Sequence, residues 1–219
     1  MSVSLATGLY GISLGALAVV AGLSVPQAMV LSLLMFSGGS QFALVGIVGA
    51  GGTALSAVAT AGLLGVRNAF YGVQLSPLLA VRSWRRVLAA HLTIDESTAV
   101  ATVQPTVRAA RVGFWCTGVG VFVLWNLFVL LGALAGNALG DPKKYGLDAA
   151  ASAAFLALLW PRLVTPVTRW VAASAVVVAV VLVPVVPSGV PVLAAAVVAV
   201  AVGWFRGDRT GRRVPGAAR

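Results

Sequence analysis

Three groups of residues in this chain carry chemistry that their apolar surroundings do not invite. The first is the octet FSGGSQFA, Phe36 to Ala43. Ser37, Gly38, Gly39, Ser40 and Gln41 interrupt what would otherwise be a lipid-facing helix. Paired glycines are poor helix interior, but they let backbone approach a ligand closely. A helix broken there offers free N–H groups and a positive dipole end to an anion. Tight helix–helix packing through small residues would also account for the glycines and serines. Gln41 is not needed for such packing.

The second group surrounds Arg67 in LLGVRNAFYGVQLSP. An arginine at the middle of a membrane span costs about 2.5–3.5 kcal/mol on insertion scales. On a helix Arg67, Tyr71 and Gln74 fall at i, i+4 and i+7 and share a face. Arg67, with Asn68 and Tyr71 beside it, can meet the carboxylate of a ligand. It can equally form a structural ion pair, or sit at a helix end and snorkel outward. The third group is the adjacent acids Asp95 and Glu96 in LTIDESTA. Successive helix positions point ~100° apart, so the two do not easily face one partner. One of them can pair with Arg67 while the other carries a proton; a solvated loop pair is the plainer reading.

Other chemistries fit less well. An intramembrane serine protease needs a histidine facing Ser37 or Ser40, and His91, the single histidine, belongs at the edge of the membrane. Cys116 is the single cysteine, which excludes an internal disulfide and a Cys-rich metal site. No nucleotide-binding motif is present, so a primary pump would need a partner to supply one. Neither cofactor nor metal is expected.

The elements that must position these residues follow from composition. Of 219 residues, 60% are hydrophobic and 9% charged, and the mean hydropathy is +1.01. Soluble domains carry about 25% charged residues. The chain therefore reads as all-α, a polytopic transmembrane helical bundle in a lipid bilayer. Seven spans are expected, near residues 3–22, 26–50, 53–79, 112–136, 149–160, 171–186 and 190–205. Pro26 suits a first helical turn. The eleven residues from there to Ser37 cover about 16 Å of helix, which places the polar octet near the midplane of a ~30 Å hydrocarbon core.

Charge sets the expected orientation. The net charge of +10 sits in clusters between or after apolar spans: Arg82, Arg85 and Arg86; Arg108 and Arg111; Arg162 and Arg169; and a basic tail, 206–219. This is the cytoplasmic bias of Lys and Arg, not a nucleic-acid footprint. GDPKKYGLD is balanced and PVVPSGV uncharged, so both belong outside. The N-terminus is then outside and the C-terminus cytoplasmic, with residues 1–205 as the transmembrane domain. MSVSLATGLYG has no basic residue before its apolar run, which argues against a cleaved signal peptide. Residues 87–105 have basic clusters on both sides, so a re-entrant or interfacial pair of short helices suits them better than a full span. GLSVPQAMVLSLLMFSG and GLDAAASAAFLALLWPR echo each other, with Ser24 and Asp148 as helix caps. Either an inverted three-plus-three repeat or chance explains the echo.

FSGGSQFA, VRNAFYGVQLSP, LTIDESTA and GLDAAASAAFLALL stand in an order and spacing that resemble AzlC-type branched-chain amino-acid permeases, over roughly residues 5–202. Arg67, Gln41, Asp95, Glu96 and Asp148 match that pattern; Gly65 and Asn68 replace a usual Asn and His, and the proline often found after GLD is missing. The resemblance implies the large subunit of a two-component exporter whose small partner is an AzlD-type membrane protein. It also implies valine, isoleucine, leucine or methionine as the amino-acid substrate. Together these readings predict a secondary transporter. Ser37, Gly38, Gly39, Ser40, Gln41, Arg67, Asn68 and Tyr71 bind substrate, and Asp95 or Glu96 serves as proton site or ion pair. A non-transporting membrane subunit that supports assembly of a partner is the reading from another class.

Overall fold

The computed structural model describes residues 2–139, 163–186 and 189–207, together with Leu156, Leu159 and Trp160. All regular structure among these residues is helical. The first helix, α1 (Ser2–Val20), ends in a turn at Gly22, whose φ of +91° favours glycine. Ser24 then caps α2 (Val25–Leu34). Its hydroxyl accepts from the Gln27 N–H, and the Gln27 side chain accepts from the Ser24 N–H at 2.8 Å. With Pro26 in the first turn this is a complete start signal.

The expected 26–50 span is two helices. α2 stops at Leu34, and α3 (Gly38–Gly49) begins only after Ser37. The break falls at Met35–Ser37, just ahead of the paired glycines, which open α3. Thr53 caps α4 (Ala54–Leu79), which carries Arg67 near its middle. Residues 87–105 likewise form no single helix. They contribute to α5 (Trp84–His91) and α6 (Asp95–Thr102), separated by a short extended link. Ser97 closes that link, donating to Leu92 O at 2.7 Å and accepting from Ile94 N at 3.1 Å.

α7 (Val107–Leu139) starts well before the expected residue 112. Thr106 Oγ1 accepts from Ala109 N at 3.2 Å and caps it there. Arg108 and Arg111 therefore lie on the helix and not in a loop, and Arg111 Nε donates to Leu78 O at 3.0 Å near the end of α4. α8 (Pro166–Leu182) also begins early, because Thr165 and Thr168 form a capping box ahead of it. α9 (Val190–Gly207) packs against α8. The 149–160 span, Asp148 and the second half of the internal echo lie outside the described residues, Leu156, Leu159 and Trp160 excepted; so does the tail from 208.

α7 is the central helix. α1 lies along it, and α2, α4 and α6 also pack on it, while α3 packs on α4 and α1. The α1–α7 seam is made of glycine. A Cβ at Gly11 would lie 2.7 Å from the Trp125 carbonyl, one at Gly15 would run into the Val129 carbonyl, and one at Gly132 into that of Ile12. Small residues four apart on both helices (Gly11 and Gly15, Gly132 and Gly136) let the backbones touch. Close packing through small residues thus joins α1 to α7 within the chain. Both helices are also long and apolar enough to cross a membrane.

Candidate functional site

The site grows from the α2–α3 break. Ser37 is extended, with φ −155° and ψ 96°, and its side chain makes no cap bond to α3. Its hydroxyl lies 3.3 Å from that of Ser40. The first helical bond of α3 runs from Gln41 N to Ser37 O at 3.0 Å. The N–H groups of Gly38, Gly39 and Ser40 precede it, and an α-helix gives them no internal acceptor. A helix end of this kind attracts negative charge.

Gln41 works in the opposite direction, away from the break. It is fully buried, at 0% exposure. Its amide nitrogen donates to Leu31 O at 3.4 Å and Ser32 O at 3.3 Å, so it satisfies carbonyls at the end of α2. Its oxygen accepts from Trp125 Nε1 on α7 at 3.0 Å. One side chain thus joins α2, α3 and α7. The expectation that Gln41 is dispensable for packing is corrected here: it is a packing residue that works through hydrogen bonds.

Arg67 reaches the break from α4. A Cβ at Gly39 would lie 3.1 Å from its Nη2, so the guanidinium rests against the start of α3. On its other side Nη1 meets Asp95 Oδ2 at 2.9 Å, the side chains 32% and 27% exposed. Of the readings open for Arg67, the ion pair is present and its acid is Asp95. Glu96 points elsewhere and accepts from Thr7 Oγ1 of α1 at 3.4 Å. The two acids therefore have different partners, as their angular separation on a helix requires. Arg67 Nε and Asn68 Oδ1 are buried, without a hydrogen-bond partner among the described residues.

These groups face a cavity of about 530 Å³. Ser37, Gly38, Gly39, Arg67, Asn68, Asp95 and Glu96 all line it, and so does Thr7. Ser40, Gln41 and Tyr71 are not in its wall. Gln74 is exposed, so the Arg67–Tyr71–Gln74 face does not enter the cavity as a unit. The rest of its lining is largely apolar and aromatic, with Phe36, Phe42, Val121 and Trp125. Trp125 is only 4% exposed; its ring edge would lie 3.1 Å from a Cβ at Gly38, and it meets Phe42 edge-on at 6.4 Å. His91 does not line the cavity but packs behind its wall, in ring contact with Phe36 at 5.9 Å and Phe122 at 5.5 Å. Sequence reasoning missed Thr7 and Trp125. Nothing marks Thr7 within its apolar run, but an indole N–H buried in a span must find an acceptor, and that was a usable signal for Trp125.

A cavity lined by a positive helix end, a guanidinium, two carboxylates and apolar and aromatic side chains can hold a small molecule bearing both charges. The family model of the AzlC protein matches residues 2–139, more than half of the chain. The chain belongs to the AzlC family. AzlC proteins are associated with branched-chain amino-acid transport. The match ends with α7, short of the resemblance expected to residue 202, and it takes in every cavity residue named above. No curated protein and no solved structure matches the chain.

Proposed function

We propose that this AzlC protein is a secondary transporter that exports branched-chain or similar small neutral amino acids across the plasma membrane. The observation that carries the reading is the single cavity that joins Arg67, the start of α3, two carboxylates and an aromatic wall. Its volume suits a small-molecule site, for which ~300–1,000 Å³ is usual. The substrate carboxylate lies between the guanidinium and the N–H groups of Gly38 and Gly39, where charge-assisted hydrogen bonds are strongest. Its ammonium faces the acids of α6, and its side chain packs on Phe42 and Trp125.

The bundle has about seven spans, with the N-terminus outside and the C-terminus cytoplasmic. The chain acts as the large subunit beside a small AzlD-type membrane protein. Family membership supports the transport class, and the apolar α1 and α7 support the membrane location. Reconstitution into liposomes loaded with radiolabelled valine, with and without the small subunit, tests the proposal. Valine efflux only with both chains is the expected result. Efflux from this chain alone removes the partner requirement. No valine binding and no efflux in either preparation assigns the chain to a non-transporting role.

A further inference from the structure

The charges around the cavity do not balance. Among the described residues that line it, Arg67 is the one cation and Asp95 and Glu96 are two carboxylates. Arg67 is committed to Asp95 at 2.9 Å. Glu96 has a hydroxyl, Thr7 Oγ1, as its side-chain partner. A hydroxyl stabilises a carboxylate without cancelling its charge, and an uncancelled charge next to an apolar wall is costly. The other groups that face Glu96 do not supply a second positive charge: Thr7 and Tyr10 come from α1, Arg67 from α4, and the uncharged Val121 and Trp125 from α7. The start of α6 offers only the partial charge of a helix end.

We propose that Glu96 holds either a proton or the ammonium group of the substrate, never both, so that substrate binding releases one proton. This rests on the transporter reading above and assigns its coupling to one carboxylate. In the empty cavity the proton neutralises Glu96. When a zwitterion arrives, its carboxylate takes the free edge of Arg67 and the start of α3. The zwitterion adds no net charge, but its ammonium lies against Glu96 while its carboxylate is held away at Arg67 and the helix end. The ionised Glu96 is thereby favoured locally, and the carboxyl proton leaves to water through the open side of the cavity. Asp95 keeps Arg67 throughout. Mutual exclusion of proton and substrate at one group couples their movements in opposite directions, which is the requirement for driving export with an inward proton gradient.

The test is valine binding to the purified full-length chain in lipid nanodiscs, with proton release followed by an indicator dye in weak buffer. At pH values below the release midpoint the wild type should release about one proton per valine. By linkage, its valine affinity should fall about tenfold for each pH unit below the release midpoint. Glu96→Gln should bind valine more weakly, release no proton, and lose the pH dependence. Asp95→Asn should still release the proton. Should Glu96→Gln fail to fold, Thr7→Val tests the same point. It removes a donor that favours the charged carboxylate, so the release midpoint should move to higher pH. Valine binding without proton release in the wild type, or unchanged release in Glu96→Gln, overturns the inference and leaves the transporter reading standing. An absence of valine binding by the wild type at every pH, with the small subunit present as well as without it, removes both.

Discussion

The indole N–H of Trp125 donates to the side-chain oxygen of Gln41 across 3.0 Å, and this bond fastens the central helix to the α2–α3 break. The same glutamine holds Leu31 O and Ser32 O. Gln41→Leu therefore strands the indole N–H and removes a donor from Ser32 O in a buried place, each costing about 1–3 kcal/mol, while Leu31 O keeps the Met35 N–H. We expect a loss of stability of at least ~2 kcal/mol, measured by denaturant unfolding in detergent micelles. Gln41→Glu keeps the acceptor for Trp125 and loses the donor to α2, so it should leave more of the native tryptophan fluorescence than Gln41→Leu.

Arg67 divides its guanidinium between Asp95 and the start of α3. Arg67→Lys keeps the charge and part of the ion pair, but not two parallel hydrogen bonds to a carboxylate. Protein level should stay normal while valine affinity falls by ~1.5–3 kcal/mol, the worth of a charged hydrogen bond. Arg67→Ala should lower both, since Asp95 then loses its guanidinium. Wild-type affinity in Arg67→Lys together with poor folding of Arg67→Ala would place the substrate elsewhere.

Gly39 separates backbone needs from ligand needs. Alanine suits a helix better than glycine by up to ~1 kcal/mol, and the added Cβ meets only the end of a flexible arginine, at 3.1 Å. Gly39→Ala should fold at least as well as the wild type. Its methyl group displaces the guanidinium and occupies the place of the carboxylate, so valine affinity should fall about tenfold or more, the equivalent of one lost hydrogen bond. Thermal unfolding and valine binding on the same sample check both halves.

The apolar wall should read side-chain size. Each buried methylene is worth about 0.8 kcal/mol, so valine, with two more carbons than alanine, should bind about fifteenfold tighter. Competition of both amino acids against labelled leucine gives the ratio. Equal affinities would mean that the side chain does not pack on Phe42 and Trp125.

Orientation is checked by reporter fusions. Those at Ser83, Thr165 and Gly207 should report the cytoplasm, and one at Gly140 the outside. A cytoplasmic signal at Gly140 would overturn the seven-span arrangement and the inverted repeat with it.

The break near FSGGSQFA was legible because polar residues and paired glycines interrupt an apolar run, although it falls just ahead of the glycines, and the cap at Ser24 because its signals are local. The division at 87–105 was legible for another reason, the basic residues on both sides. Which acid meets Arg67 was not legible, since it depends on the rotation of α6 about its own axis. The work of Gln41 was hidden for a similar reason: its partner Trp125 is 84 positions away. The start of α7 was misplaced because Thr106 was not read as a cap.

The glycine seam between α1 and α7 has a mechanical consequence. Helices whose backbones touch cannot slide, because sliding requires a second packing of the same surfaces, and carbonyls set against missing side chains offer none. Thr7 and Tyr10 on one helix and Val121 and Trp125 on the other therefore form a stationary pillar along one flank of the cavity.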